Sequence, residues 1–531
     1  MASPPSIYDG WSREELIARL TELDLAKSRP KQRPPSPKRK NRPFHFAIHA
    51  KRKIALKFCY SGWEYGGLAF QNMKTALPTV EGVIFDAMVK ARLIDPEGGF
   101  EGCGWEKCGR TDRGVSAAGQ VISLWVRSAL GPEDGGEATS MDAIQDASSP
   151  AAQAPLSAKS PSAKSPSSPL STEEESLIPG LEFGFEEDDL DAPHSNTSLS
   201  IPAPTQKAKY EHDYLAILNR LLPPTIRIIA WSPISNDFSA RFSCSWRHYK
   251  YFFSSDTAPG PILDIERMRV AASLLLGEHD FRNMCKLDPA KQITMFRRKV
   301  MRAEIDPVLV DAKGRGTYVF NLIGSAFLYH QVRHIMAVLF MVGHGQEEPS
   351  VVTNLMNVEE GLEPNATETV NCKPEYQMAY ALPLLLWDCG YPEAELNWQT
   401  TNGAPLADGS DIRTDLYQQL HSIHSRSQVY TALNDHFLLA ASRLHLPPLT
   451  ENGSSEPRAP PSDPNAKLLI PLGGGTYKRT GQDKYTPLLK RNRLDPVEQV
   501  NERWRLGKGF RRNERRKAAE EAEEDDLDGN E

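Results

Sequence analysis

From Gly131 to Gln206 the chain is built almost wholly from Ser, Pro, Ala and acidic residues, and a Ser-Ala-Lys-Ser-Pro unit stands twice in tandem at 157–161 and 162–166. Such a stretch has too little apolar surface to offset the entropy of ordering it, so the composition predicts a disordered insertion. That prediction constrains everything else. Any folded body has to be assembled from the chain on both sides of the insertion, and the groups that do chemistry have to be brought together across it.

The insertion also hides the charge of that body. It carries fourteen acidic and two basic residues, and Ala518–Glu531 carries eight acidic residues and no base. Against a whole-chain charge of −7, net contributions of −12 and −8 from these segments leave +13 on the remainder. A basic body tethered to acidic segments points to a polyanion, with nucleic acid first. From Lys27 to Lys53 eleven Lys and Arg occur without an acid, interleaved with prolines, which suits an RNA-grasping arm, a nuclear localisation signal or a solvated tail equally. No apolar run approaches about 18 residues, so a membrane span is not expected. The start lacks a basic n-region and an apolar stretch, so a secretory signal is not expected either. The seven cysteines (59, 103, 108, 244, 285, 372, 389) are odd in number and form no C-x-x-C pair, which fits reduced thiols.

Periodicity places the elements. Ser12-Arg-Glu-Glu15 reads as a capping box ahead of Leu16, Leu20 and Leu23. Ile54–Tyr60, Gln120–Val126, Trp246–Phe253 and Thr317–Ile323 read as strands, and in the third Arg247, Tyr249 and Tyr251 share a face. Helices are predicted after Thr79, with its stripe Val80, Val83, Ile84, Ala87, Met88 and Ala91, over Ile265–Leu276, and from Leu328 to Val342, ended by Gly343. Residues 396–465 lose periodicity and read as an irregular insertion. Asp495-Pro496-Val-Glu498 then opens a last helix with Asp as N-cap. Strands alternating with helices argue for a mixed α/β body.

The stretch most informative for chemistry is Cys108-Gly-Arg-Thr-Asp112-Arg-Gly-Val-Ser-Ala-Ala-Gly-Gln-Val121. Gly109 and Gly114 bracket a carboxylate on a tight turn just before a strand, where it can point into a cleft. Arg110 and Arg113 flank it, and neighbouring cations favour a charged carboxylate. That arrangement suits covalent attack on a sugar or base, and equally an Asx-turn steadied by arginines. A glycosidase would need a second carboxylate, which this motif lacks. The histidines show neither H-E-x-x-H nor paired Cys/His spacing.

This motif resembles the G-R-T-D-x-G-V-x-A signature of the TruA family of tRNA pseudouridine synthases. The resemblance continues, in the family's order, through Tyr60-Ser-Gly-Trp-Glu-Tyr-Gly-Gly67, Asp237-Phe-Ser-Ala-Arg-Phe-Ser243 with Arg247-His-Tyr249-Lys-Tyr251, Gly277-Glu-His-Asp-Phe281, and Ser325-Ala-Phe-Leu-Tyr-His-Gln-Val-Arg333. Gln120–Leu124, Asp280–Lys286, Met336–Gly343 and the C-terminal Pro487–Arg491 with Asp495–Trp504 look like the eukaryotic members acting on uridines 38 and 39 of the anticodon arm. Departures are Arg113 where Lys is usual, Tyr329 where Trp is common, and His334 in place of Cys.

The resemblance implies an α+β pseudouridine synthase fold: a mostly antiparallel sheet with flanking helices, and two RNA-recognition-like halves around a central cleft. Composition, periodicity and the quoted motifs together divide the chain into an N-terminal helix and basic tail (1–53), a first catalytic half (54–130), the insertion (131–206), a second half (207–395), the irregular insertion (396–465), a C-terminal helix and basic segment (466–515) and an acidic tail (516–531). The resemblance implies Asp112 as nucleophile, Arg333 as its ion-pair partner, and Tyr249, Arg110 and Arg247 as substrate-binding residues. It further implies tRNA as substrate, no cofactor, no metal, no membrane, a homodimer, and residence in nucleus and cytoplasm. A relative acting on other tRNA positions, and a catalytically idle RNA-binding protein on the same scaffold, stay open as alternatives. Flipping a stacked uridine out costs a few kcal/mol, and the basic-aromatic run Arg503–Arg512 suits a grip on the phosphates or a charged helix end equally.

Overall fold

The computed structural model of the chain describes residues 44–73, 75–131, 210–256, 262–402, 412–445, 469–473, 476–479 and 485–515. The helix predicted after Ser12, the basic stretch before residue 44, the acidic insertion beyond Gly131 and the acidic tail lie outside the described residues.

One nine-stranded sheet organises the body. Its strands are β1 (Lys51–Tyr60), β2 (Glu106–Lys107), β3 (Ser116–Arg127), β4 (Ile226–Pro233), β5 (Trp246–Ser254), β6 (Gly277–Asp280), β7 (Arg297–Val310), β8 (Gly316–Gly324) and β9 (Leu384–Gly390). They run in the order β4-β1-β3-β9-β5-β8-β7-β6, with β2 alongside β3. Every pairing is antiparallel except β3 with β9, which is parallel. The body is therefore α+β; the parallel sheet that strict strand–helix alternation implies is absent from the described residues, because most sheet neighbours run antiparallel.

β4 follows the acidic insertion yet pairs with β1, so chain from both sides of the insertion shares this edge of the sheet. Glu211 stitches the two sides together. Its carboxylate accepts from Ser128 Oγ at 2.6 Å, from the Ala129 amide at 2.8 Å and from Arg52 at 3.1 Å.

The helices cover the sheet. Thr79 caps α1 (Val80–Lys90) as predicted, accepting from the Gly82 amide. Asp213 caps α2 (Tyr214–Leu221) and Asp264 caps α3 (Ile265–Ser273) in the same way. Helix α4 (Gln331–Gly343) is buried almost all round, and Phe340 meets Tyr251 and Phe253 of β5 edge-on. At its last residue α4 crosses α3 so closely that a Cβ on Gly343 would lie 2.5 Å from Met268 Sδ, which explains glycine there. A short α5 (Val351–Met356) follows.

The sequence reading needs correction in two places. Residues 396–465 are not irregular throughout, because Ile412–Ser442 form a 31-residue helix, α6. Most of its described side chains are exposed, so no buried stripe imprints a helical period on its polar and apolar residues. Helix α7 (Val497–Trp504) begins after Pro496 with no side-chain capping bond, and Asp495 instead pairs with Arg503 at 3.0 Å.

Candidate active site

Asp112 sits on the loop between β2 and β3, and that loop is held from three directions. From β3, the Gln120 amide donates to the Gly109 carbonyl at 2.9 Å, and the Cys108 amide donates to Val121. From β1, the buried hydroxyl of Tyr60 hydrogen-bonds that of Thr111. From β5, Arg247 donates to the carbonyls of Cys108 and Arg241, each at 3.0 Å, and of Ser325 at 2.8 Å. Behind the loop Cys108 and Cys244 place their sulfurs 3.4 Å apart, with Cys389 beside them. Gly114 turns the chain at φ +85°, a conformation that favours glycine. The Val115 amide closes the turn onto the Asp112 carbonyl.

The opposite wall is the N-terminal end of α4. Arg333 Nη1 lies 3.4 Å from Oδ2 of Asp112, and its Nε donates to the Ala379 carbonyl at 2.8 Å, which sets the plane of the guanidinium. His330, the residue that opens α4, places Nε2 3.2 Å from the same oxygen. The Asp112 side chain keeps 24% of its surface exposed, so the carboxylate is pinned but reachable.

Tyr249 forms the floor. It is buried on β5, its ring set edge-on to Phe327 at 5.1 Å, and burial pushes its phenol well above the ordinary range. Asp112, Tyr249 and Arg333, widely separated in sequence, thus come together. Arg110 is exposed and unpaired among the described residues, as a phosphate-contacting side chain would be. The guanidinium of Arg247, for which substrate binding is expected, donates to three main-chain carbonyls and clamps the Asp112 loop to two other segments.

Two residues escaped the sequence reading. His330 lay inside a quoted motif, but nothing in its spacing marked it as a partner of Asp112. Tyr329, noted only as a departure from the family, is half-exposed, lies over the His330 ring at 3.8 Å, and has the ammonium groups of Lys291 and Lys286 5.4 and 5.8 Å from its centroid. Helix α7 packs nearby, with Gln292 donating to Asn501, so the basic-aromatic run that begins at Arg503 starts close to this side of the cleft. A separate cavity of about 430 Å³ is lined by Ala337, Met341, Lys373, Tyr376, Ala379 and Arg491 among others, and Asp112 is not among its walls. The Asp112 site is an open cleft, the form that suits a macromolecular substrate better than an enclosed small one.

An aspartate held by an arginine beside a mostly antiparallel sheet, with a buried tyrosine and basic and aromatic side chains nearby, fits the site of an enzyme that acts on RNA, and the comparisons give its class as an isomerase. The chain belongs to the tRNA pseudouridine synthase family: a family model described as tRNA pseudouridine synthase matches residues 271–392. It is 35% identical to the tRNA pseudouridine(38/39) synthase of Saccharomyces cerevisiae over 94% of this chain and 92% of that one. It is 34% identical to the tRNA pseudouridine(38/39) synthase of Homo sapiens over 71% of this chain and 66% of the relative. Against tRNA pseudouridine synthase A of Methanosarcina mazei the identity is 27%, over 66% and 88%.

Proposed function

We propose that this chain isomerises uridine to pseudouridine in the anticodon stem-loop of tRNA, at positions 38 and 39. The observation that carries the reading is the Asp112 carboxylate, held at one oxygen by Arg333 and His330 and open to the cleft at the other. In the isomerisation Asp112 acts at the ribose and the C1′–N1 bond breaks. The uracil turns over Tyr249, and C1′ rejoins at C5. The proton leaves C5 and N1 gains one, so no atom is added or lost overall. The base must first leave the stack, and Arg110, Lys286, Lys291 and Tyr329 are placed to grip the distorted RNA.

Positions 38 and 39 are favoured because identity is higher to relatives with that name than to the synthases named A. The intact Asp112, Tyr249 and Arg333 speak against an idle scaffold. Two RNA-recognition-like halves, β4-β1-β3 and β9-β5-β8-β7-β6, meeting at the parallel β3–β9 seam, belong to the same reading. So does a homodimer. Helix α6 leaves Tyr430, Phe437 and Leu438 well exposed, apolar surface that a second copy of the chain would cover. Residence in nucleus and cytoplasm rests on the basic stretch Lys27–Lys53. The test is to incubate the purified chain with unmodified tRNA transcripts and map pseudouridine base by base. Product at 38 and 39 supports the proposal, and product confined to other positions overturns the site assignment.

A further inference from the structure

Two side chains converge on the Asp112 carboxylate, and both reach the same oxygen. His330 Nε2 stands 3.2 Å and Arg333 Nη1 3.4 Å from Oδ2, whereas Oδ1 has no partner among the described residues. The other ring nitrogen of His330, Nδ1, is buried without a hydrogen-bond partner. His330 also holds a left-handed backbone at φ +60°, ψ 13° in the position that opens α4. An orphaned ring nitrogen and a left-handed backbone are both costs, and costs of this kind persist where the surrounding structure imposes them and concentrate at functional sites.

We infer that His330 is a positioning residue for the nucleophile: with Arg333 it fixes Oδ2, so that Oδ1 is the oxygen presented to the ribose. The inference rests on the proposed isomerisation and deepens it. Arg333 alone is a long, single contact whose other bond, to Ala379, is spent orienting its own plane. One contact on one oxygen leaves the carboxylate free to swing about its last torsion. A second donor arriving along a different direction removes that freedom. The His330 ring is itself fixed, with its side chain only 7% exposed and the Tyr329 ring tilted against it at 3.8 Å.

Three variants test the assignment: His330→Asn, His330→Gln and His330→Ala. Asparagine tolerates the left-handed backbone, but its shorter amide stops at the depth of Nδ1. Glutamine carries an amide donor to the reach of Nε2. Single-turnover pseudouridine formation on an anticodon-arm transcript should fall about 10- to 100-fold in His330→Asn, the range seen when a partner that orients a reacting group is lost. The loss should lie in kcat, with RNA affinity by filter binding kept within about twofold. His330→Gln should regain much of the rate, and His330→Ala should resemble the Asn variant. Equal activity of His330→Asn and wild type overturns the inference. So does a Gln variant no better than Asn while both melt like wild type, and so does a loss that appears in KM. A wild-type chain forming no pseudouridine would instead remove the functional reading itself, which keeps the two failures distinguishable.

Discussion

The two walls of the cleft are built on different principles. The wall that carries Asp112 is a loop with glycines at 109 and 114, and it owes its shape to partners outside itself: Gln120, Tyr60 and the Arg247 clamp. The wall that carries His330 and Arg333 is the first turn of a regular helix, rigid because α4 is buried nearly all round. In the proposed reaction the loop supplies the reacting group and the helix supplies what orients it. The division follows from what each element can do. A nucleophile must protrude from the backbone, which a glycine-bracketed turn permits, whereas an orienting cation gains most from a scaffold that does not move.

Substitutions can break this contrast or sharpen it. Asp112→Asn, on the loop wall, removes the nucleophile while keeping its size, and should lower pseudouridine formation by about three to four orders of magnitude with RNA affinity little changed. Near wild-type turnover in a single-turnover assay would undo the assignment of the walls. Arg333→Ala, on the helix wall, leaves the nucleophile but takes away one of its two holders, so the rate should fall about a hundredfold with binding again preserved. Should both variants lose rate equally, the separation into reacting and orienting walls is too simple.

Arg247→Met tests whether the loop depends on outside partners. It strips three carbonyls of their donor, and the loss should be roughly 2 kcal/mol of stability, read from denaturant unfolding, with the rate falling as the loop loosens. A variant as stable as wild type would mean the loop holds itself. The smallest effect at neutral pH is expected of His344→Gln at the far end of α4. Burial pushes the His344 imidazole down to about 4 from an ordinary value of 6.5. Between those two values the unfolded chain takes up a proton that the folded chain refuses, so stability falls as pH falls from 6.5 towards 4. By pH 4 the loss from this group is roughly 3 kcal/mol. The Gln variant should match wild type at pH 7.5 and resist acid better in melts near pH 4.5. His334, also held down by burial, keeps some acid sensitivity in α4.

The elements legible in the sequence are those with one buried face or a side-chain cap. Thr79 announces α1, and the alternation in Trp246–Phe253 announces β5 together with the inward direction of Tyr249 and Tyr251. Helix α6 was illegible for the converse reason, since an exposed helix imposes no pattern on its residues. The parallel β3–β9 pairing escaped as well, because it joins segments more than 250 residues apart and no local signal records it. Within the site, Asp112, Tyr249 and Arg333 were legible through motif resemblance, which carries identity but not partners. Hence nothing in the motif announced that Arg247 donates to three main-chain carbonyls, and His330 was passed over although it stands nearer to Asp112 than Arg333 does.

Glu211 has one more consequence, for the linear order of the polypeptide. Because its carboxylate binds Ser128 and Ala129 directly, the chain departs from the sheet and comes back to it at one spot. A flexible span between those two points would add only loop-closure entropy, about 0.6 kcal/mol for each doubling of length. Insertions can accumulate or vanish there almost without thermodynamic penalty. The same closure makes this the natural place to open the molecule. Fragments ending near Leu130 and beginning near Tyr210 keep every strand whole and should reassociate through the β1–β4 ladder, and a circular permutant opened at this point would leave both walls of the cleft undisturbed.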